Sequence, residues 1–308
     1  MNGQLDKLSF TGHETFPFRY PWPAKGVRGV LDDGGLFGHD DAFVTLGVGK
    51  NMVRSIRHWC ETLGLIERIA INSIDMKATD LGLFLFGPEG WDPFIEYPGT
   101  PWLLHWMLVR SRDRASAWYL LFTQYSGNQF TRDELTMWLS GIARQAETRA
   151  TEASIKRDVN VLIRTYVPSR VSRNLPKEET FDSPLVQLGL INEIENGVFS
   201  FSRGMKPSLP DEVFLYALLD YWRNQAEGSL SMSFEKALYG PGSPGATFKL
   251  SSNACAEILE RIAENHGIRL DETAGMRTIF SDSGSLMTDT RNILAGYYSA
   301  TMLEEVAA

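Results

Sequence analysis

Hydrophobic and polar positions in the N-terminal part of the chain follow the pattern of a helix-turn-helix with a hairpin after it. From about Lys50 onwards, apolar side chains recur at steps of three or four residues, so they share one helix face that we expect to be buried: Val53, Ile56, Cys60 and Leu63. A short helix over 40–46 and a glycine turn precede this helix, and strand-like runs over 65–71 and 74–79 follow it. This order predicts a winged helix, a module whose second helix commonly lies in a nucleic-acid groove.

The remaining face of the same helix is polar and basic. It carries side chains that suit contacts with phosphates and bases: Lys50, Asn51, Arg54 and Arg57. A basic stripe on such a helix indicates contact with nucleic acid. The alternative is a winged-helix module that binds another protein, or one that has no macromolecular partner.

A second helix-turn-helix pattern lies in the middle of the chain. Thr131 and Glu134 form a capping box that begins one helix, and the next helix spans 151–166. That second helix buries one apolar stripe: Ile155, Val159, Leu162 and Tyr166. It exposes a polar stripe that we predict to bind nucleic acid: Lys156, Arg157, Asn160 and Arg164. Arg170 and Arg173 follow in a segment whose composition suits contacts with a phosphate backbone.

A short repeat links the two patterns. The tetrapeptide Leu63–Ile66 recurs at Leu188–Ile191, and the Asn-Gly pair at 196–197 is a strong hairpin signal. Each copy has a helix-turn-helix before it and a hairpin after it, which strengthens the repeat. We therefore predict an α+β fold that is mainly α with small β-hairpins, namely tandem winged helix-turn-helix units and a smaller C-terminal helix-hairpin module. The predicted domains span 1–100, 101–227 and 228–308.

Composition and charge narrow the function. A length of 308 residues and 43% hydrophobic content predict two or three domains with real cores. The net charge of −8 argues against a protein that coats nucleic acid indiscriminately. The charge is uneven, because 141–177 carries eight Lys and Arg against three acids, whereas 178–308 carries nine against nineteen. Such a distribution suits a protein that touches nucleic acid with one face and other proteins with the rest.

Cysteine content and the chain ends indicate the compartment. With 2 cysteines, the chain offers neither a disulfide framework nor a zinc cluster. The N-terminus has no basic-then-apolar signal segment, and no apolar run reaches membrane-spanning length. We expect a cytoplasmic protein with no membrane partner.

A first set of polar residues with chemical potential lies in the segment 9–22, which is rich in proline and aromatic residues. His13, Glu14 and Arg19 would suit a site that acts on a phosphate. The alternative is an N-terminal arm that aromatic side chains pin to the body, with the polar groups satisfying one another: Phe10, Phe16 and Phe18 are the pinning residues.

A second set lies between 87 and 114. Asp92 and Glu96 are four residues apart and would hold a magnesium ion if the backbone places them on one side. Asp92 would equally cap a helix with Pro93 at its first position. His105 is embedded in an apolar helix, where a lone histidine is more often a core residue than a ligand. No PD-(D/E)xK, HNH or P-loop pattern accompanies either set.

Four segments carry a resemblance to a known family. They are TGHETFPFRY (11–20), LGVGKNMVRSIRHWCETLGLI (46–66), DPFIEYPGTPWLLHW (92–106) and SPGATFKL (243–250). These segments resemble bacterial domain-of-unknown-function family 4007. The resemblance implies a component of a DNA phosphorothioation defence system that nicks one DNA strand, so that sulfur can replace a non-bridging oxygen. It also implies two partner proteins, a PAPS-reductase-like sulfur-transfer protein and an ATPase.

The resemblance implies a role and leaves the catalytic residues to be inferred. If the chain itself nicks double-stranded DNA, the candidates are His13, Glu14, Arg19, Asp92, Glu96 and His105. Carboxylates, with Glu14 and Asp92 as metal ligands, would hold Mg²⁺ or Mn²⁺, a histidine would activate water, and an arginine would neutralise a phosphate oxygen. A homodimer is compatible with this interpretation.

Two other classes of function stay open. In the first, the chain is a non-catalytic adaptor whose winged helices place the modification complex on DNA, while its acidic C-terminal part docks a partner. In the second, the chain is a winged-helix transcriptional regulator of the defence operon.

Overall fold

The computed structural model describes residues 8–169, 182–225, 229–282 and 290–307. The chain divides into two compact units. Unit 1 consists of Met1–Glu96, Met107–Leu121 and Ser126–Phe201, and unit 2 consists of Tyr97–Trp106, Phe122–Tyr125 and Ser202–Ala308. The three domains expected over 1–100, 101–227 and 228–308 stay a prediction. In the described part of the chain, no helix is long and apolar enough to cross a membrane.

The N-terminal part of unit 1 contains four helices and one antiparallel hairpin: α1 (Trp22–Asp32), α2 (Ala42–Leu46), α3 (Lys50–Thr62), β1 (Ile66–Arg68), β2 (Met76–Ala78) and α4 (Asp80–Phe86). Gly47 makes the turn between α2 and α3 with a φ of +62°, a left-handed conformation that glycine adopts without steric cost. The hairpin strands are shorter than the predicted runs, and most of the residues between them are exposed.

The predicted buried face of α3 needs one correction. Ile56, Cys60 and Leu63 are buried as expected, but Val53 is partly exposed and Trp59 is buried in its place. The reason is the packing of the indole, which lies 5.7 Å from the Phe18 ring and 5.6 Å from the Trp118 ring, measured between centroids.

In the middle of the chain, the described residues form four α-helices and a three-stranded antiparallel sheet: α5 (Gly99–Arg110), α6 (Ser116–Thr123), β3 (Gln129–Thr131), α7 (Arg132–Gln145), α8 (Glu152–Tyr166), β4 (Ile191–Glu195) and β5 (Val198–Phe201). The strand order is β3-β5-β4. The predicted capping box of α7 is confirmed, since Thr131 Oγ1 accepts the Glu134 N–H and the Glu134 carboxylate accepts the Thr131 N–H at 2.8 Å.

In the C-terminal part, which belongs to unit 2, the described residues form five helices and a second three-stranded sheet: α9 (Asp211–Gln225), β6 (Ser231–Ser233), α10 (Phe234–Tyr239), α11 (Pro244–Thr247), α12 (Ser252–Asn265), β7 (Ile268–Thr273), β8 (Met276–Ser281) and α13 (Thr290–Ala307). The hairpin of the predicted C-terminal helix-hairpin module is present as β7 and β8. Strand β6 was not predicted; it pairs with β8, so the order is β6-β8-β7.

The same succession of elements therefore occurs more than once. In the middle and in the C-terminal part, a helix is followed by a strand, further helices and a hairpin, and the first strand pairs with the last. In the N-terminal part, the Met76 N–H donates to the Gly34 carbonyl at 2.8 Å, at the place where the other parts have their first strand. The architecture is α+β, with small antiparallel sheets among the helices.

Candidate nucleic-acid interface

Helix α3 presents the predicted basic side chains on its open face. Lys50, Asn51 and Arg54 are exposed, whereas Arg57 is partly covered. The Lys50 ammonium lies 5.2 Å from the centre of the Phe43 ring, a cation–π contact that leaves the charge at the surface. The first turn of a helix also carries a partial positive charge from the aligned peptide dipoles. This end of α3 therefore suits a phosphate group.

Helix α8 presents the second basic face. The predicted apolar residues are buried, and the predicted polar residues are exposed together with Glu152 and Ala153 of the first turn: Lys156, Arg157, Asn160 and Arg164. Lys156 lies 3.5 Å from Asp133 of α7, but both side chains are largely exposed, at 60% and 82%. Exposed ion pairs of this kind contribute little and are readily exchanged for another anion.

The predicted catalytic histidine His13 lies in a buried network between these two helices. Its side chain is 2% exposed, and its Nε2 lies 3.0 Å from Oδ1 of Asp158 on α8. The Thr15 N–H donates to His13 Nδ1 at 3.1 Å, so Nδ1 is the acceptor and Nε2–H is the donor. Ser55 of α3 donates its hydroxyl to the His13 carbonyl at 2.9 Å. Both ring nitrogens are therefore used within the protein.

The backbone around His13 is held in an unusual conformation. Thr11, Glu14 and Thr15 have φ values of +89°, +47° and +64°, which non-glycine residues seldom adopt. Gly12 has a φ of +110°, and a Cβ there would meet the ring of His58 at 2.5 Å. The Asp158 carboxylate accepts the Thr11 N–H as well, at 2.9 Å. These contacts support the arm alternative, in which the polar groups satisfy one another.

The aromatic residues expected to pin this arm are largely buried. Phe10 is 7% exposed and Phe18 is 0% exposed, while Phe16 is partly exposed and its carbonyl accepts the Trp59 indole N–H at 3.2 Å. Arg19, the third polar residue of the first set, is 9% exposed. Its guanidinium carbon lies 5.5 Å and 5.4 Å from the ring centres of Phe16 and Trp22.

Glu14 differs from His13 because its carboxylate reaches the surface. Its Oε1 lies 3.8 Å from Nη1 of Arg54, and its side chain is 36% exposed. Glu14 is thus the candidate carboxylate that the structure places next to the basic face of α3. The pairing is loose, so it leaves the Arg54 charge available to a ligand.

A group of three arginines surrounds Glu61, near the end of α3, and of these only Arg57 was predicted to contact nucleic acid. The guanidinium groups of Arg57, Arg114 and Arg68 lie 3.4, 3.3 and 4.0 Å from its carboxylate oxygens. One carboxylate cannot neutralise all of these cations, so the group keeps a positive charge at the surface. Arg68 belongs to the β1–β2 hairpin, where alternation of polar residues gives no signal for binding.

The second predicted catalytic set is largely buried. Asp92 is 1% exposed, and its Oδ1 accepts the Glu96 N–H at 2.7 Å. The predicted helix after Asp92 is wrong, because Ile95 has a φ of +59° and α5 begins only at Gly99. Asp92 therefore caps a turn. Its side chain accepts a backbone N–H there, as it would at the start of a helix, so the sequence signal is the same for both. Glu96 is exposed.

His105 occupies the core of unit 2. Its ring is 0% exposed, its Nε2 donates to the Thr247 carbonyl at 3.0 Å, and the Phe122 ring lies 4.7 Å away, between centroids. Burial lowers the pKa of His105 to about 3, against the opposing effect of the Thr247 carbonyl. A histidine so enclosed is a poor base for a surface reaction at neutral pH, so the geometry favours the core alternative.

The metal prediction finds little support in the geometry. Within the described ranges, no group of three or more His, Cys, Asp and Glu side chains is placed to hold a metal ion. The predicted ligand Asp92 uses an oxygen to cap its turn, and Glu14 faces Arg54. Two predicted DNA contacts, Arg170 and Arg173, lie outside the described residues.

Nearly the whole chain matches one protein family. Residues 10–298 match the family described as Protein of unknown function (DUF4007). The chain belongs to this family. The comparison with curated proteins finds no match. The resemblance carried by the four sequence segments is thus confirmed at the level of the family.

Solved structures similar to this chain include two of a protein named SspB. One, described as "Magnesium ion-bound SspB crystal structure", is 31% identical in sequence, has a TM-score of 0.85, and the match covers 94% of this chain and 88% of the other. The second, described as "SspB crystal structure", is 30% identical with a TM-score of 0.86, and the match covers 96% and 91% of the two chains. The chain thus shares its fold with SspB along nearly its whole length.

Proposed function

We propose that this member of the family binds double-stranded DNA as part of a DNA phosphorothioation defence system. The observation that carries the proposal is that two helices of unit 1, α3 and α8, share the same two features. Each helix exposes most of the polar side chains that the sequence assigned to nucleic acid, and both are joined to the N-terminal loop through the buried His13. Similarity to the structures called SspB and the family resemblance support the biological setting.

We infer that the repeated modules are winged helices. In this interpretation α3 and α8 are the recognition helices, and the β1–β2 and β4–β5 hairpins are the wings. The order β3-β5-β4 supports this, because the strand before the helix pair joins the hairpin at its edge. Arg68 on the first wing, together with Arg57 and Arg114, would add phosphate contacts beside α3.

The third module has a different partner in this proposal. Helix α12 stands in the position of a recognition helix, yet the charged residues on its exposed face are mostly acidic: Glu257, Glu260, Arg261 and Glu264. An acidic face repels DNA. It suits docking of a basic surface on a partner protein, for which the sulfur-transfer protein and the ATPase of the system are the candidates.

Nicking of one strand is the activity that the family resemblance suggests, and Glu14 is the acidic residue best placed for it. Magnesium or manganese does not fit a site formed by Glu14 and Asp92 alone, so we derive no step through a metal ion. The geometry of His13, His105 and Asp92 favours a second candidate, a non-catalytic adaptor that places other components on DNA. The cytoplasm is the compartment in which either role places the protein.

One experiment separates these functions. Purified protein is incubated with supercoiled plasmid in magnesium, manganese or EDTA, and open-circle product and gel shift are measured on the same samples, with Glu14→Gln beside the wild type. Nicking that Glu14→Gln abolishes, with the gel shift retained, supports the nickase. A gel shift without nicking supports the adaptor, and a gel shift confined to the operon's own promoter supports the regulator. Loss of any DNA binding overturns the proposal.

A further inference from the structure

A cavity of about 480 Å³ opens beside the first turn of α3. Its walls combine aromatic, apolar and basic side chains: Arg19, Tyr20, Trp22, Lys25, Val48 and Met52. Its volume is in the range of sites that enclose small molecules, and its lining is mostly apolar with a few charged groups, as such sites require. Its lining comes from the end of the loop 9–21, the start of α1, the α2–α3 turn and the first turn of α3.

The inner wall of the cavity is formed by buried side chains. Arg19 and Trp22 are buried, at 9% and 2% exposure, and the guanidinium carbon lies 5.4 Å from the indole ring centre. A planar cation packed on aromatic rings is a surface on which a flat, polarisable ring stacks well. Tyr20 is 36% exposed and forms the outer wall. Burial, reinforced by the charge of Asp182, raises the pKa of Tyr20.

The rim of the cavity is basic. A second cavity of about 450 Å³ adjoins the first, and Tyr20, Pro21 and Lys25 line both. Lys25 donates to the Leu46 carbonyl at the end of α2, which fixes its ammonium at the shared wall. The second cavity adds the exposed Arg28, alongside one acid, Asp32. A flat ring in the first cavity would therefore have cations near a phosphate attached to it.

The position of the cavity relative to α3 suggests what enters it. Val48 and Met52 flank Lys50 and Asn51, the exposed residues at the start of α3. In a helix-turn-helix, this end of the recognition helix contacts the bases. We propose that the cavity receives the base of one nucleotide that turns out of the duplex next to α3. This inference rests on the proposed DNA binding. It adds that the DNA is bound with one nucleotide turned out, a conformation that exposes a single phosphodiester for reaction.

The test uses the preference for an extrahelical nucleotide. Turning a base out of a paired duplex costs a few kcal/mol, whereas a bulged nucleotide is already unpaired. Binding is measured for a perfectly paired 25-bp duplex and for four matching duplexes, each with one bulged nucleotide of a different base. We expect the wild type to bind at least one bulged duplex roughly tenfold more tightly than the paired one.

Two variants and a control assign that preference to the cavity. Val48→Trp fills it and Tyr20→Ala removes its outer wall, so in both the preference falls to about one. Tyr239→Ala, at a tyrosine that is 62% exposed on α10, serves as the matched control and keeps the wild-type preference. Circular dichroism checks that each variant is folded.

The outcomes separate the inference from the function on which it rests. Equal binding of paired and bulged duplexes by the wild type overturns the cavity inference and leaves DNA binding intact. A preference that survives in both Val48→Trp and Tyr20→Ala overturns it as well. Failure to bind any of the duplexes overturns the proposed function itself.

Discussion

His13 donates its Nε2–H to Oδ1 of Asp158 across 3.0 Å, in a site where both side chains are 2% exposed. The bond joins the N-terminal loop to α8, and the His13 carbonyl receives the hydroxyl of Ser55 from α3. The two basic helices are thus anchored to one short loop. The position of the exposed cations therefore depends on a buried pair that never touches the DNA in the proposed complex.

Removing the Asp158 carboxylate should destabilise unit 1 strongly. Asp158→Ala leaves the buried His13 Nε2–H without its acceptor, which costs about 1–3 kcal/mol, and it also removes the part-buried bond from the Thr11 N–H. We expect a decrease of about 3 kcal/mol in the free energy of unfolding, measured by urea denaturation. Asp133→Ala, which removes an aspartate side chain that is 82% exposed, should change stability by less than about 0.5 kcal/mol. Equal stabilities of the two variants would contradict the anchoring role.

The sequence predicted the elements better than the contacts between them. The apolar stripe of α8 and its exposed cations follow from local periodicity, because a helix has one fixed period. Asp158 lies on the buried side of that stripe, next to Val159. An acid in such a position signals a buried carboxylate that needs a donor, but periodicity cannot say that the donor comes from 145 residues away.

In the candidate site, too, the sequence identified the residues but not the contacts that they make. The sequence of 11–20 identified His13, Glu14 and Arg19 together, yet only the tertiary contacts tell them apart. Both ring nitrogens of His13 form hydrogen bonds inside the protein, and Arg19 packs on aromatic rings. Glu14 alone of the three reaches the surface, beside Arg54. The left-handed φ of Glu14 is set by the surrounding packing and carries no sequence signal, unlike that of a glycine.

The buried Lys249 should make unit 2 more stable as pH rises above neutrality. Burial first, and the charge of Arg203 second, lower the pKa of Lys249 to about 7, from 10.5 in an unfolded chain. Between these two values the unfolded chain binds more protons than the folded one, so the free energy of unfolding rises with pH. The slope for one proton is about 1.4 kcal/mol per pH unit.

Lys249→Met tests this slope. The variant should lose the part of the pH dependence that Lys249 contributes between about 7 and 10.5 and keep the part from Lys206, whose pKa burial lowers to about 8. It also loses the bond from Nζ to the Phe122 carbonyl at 2.7 Å. Urea denaturation at a series of pH values is the measurement. The control Lys77→Met, at a side chain that is 56% exposed, should keep the slope of the wild type. An unchanged slope in Lys249→Met would show that the lysine does not titrate in this range.

The buried His105 should make unit 2 less stable in acid. Because burial lowers its pKa to about 3, from 6.5 in an unfolded chain, the unfolded state binds more protons between these values. The free energy of unfolding therefore falls as pH decreases from 6.5 towards 3. His105→Met should be less sensitive to acid over this range, despite losing its bond to the Thr247 carbonyl. Thermal melts at a series of pH values between 6.5 and 3 measure this sensitivity. The control His39→Met, at a side chain that is 53% exposed, should retain the acid sensitivity of the wild type.

Removal of single cations from α3 and α8 should reduce the salt dependence of DNA binding. The logarithm of the association constant falls with the logarithm of salt concentration, with a slope of about −0.9 for each phosphate contact. Arg54→Gln and Arg157→Gln each remove one exposed cation, so each should make the slope less steep by about 0.9, and the double variant by about 1.8. Fluorescence anisotropy with a labelled duplex at several salt concentrations measures the slope.

Arg269→Gln provides the control for those slopes. It removes the same charge from an exposed residue of β7, in the module whose α12 face is mostly acidic, so the slope should stay at the wild-type value. If Arg269→Gln shifts the slope as much as Arg54→Gln does, the DNA contacts extend to unit 2 and the assignment of the acidic module to a protein partner is wrong. If neither Arg54→Gln nor Arg157→Gln shifts it, these helices do not carry the phosphate contacts.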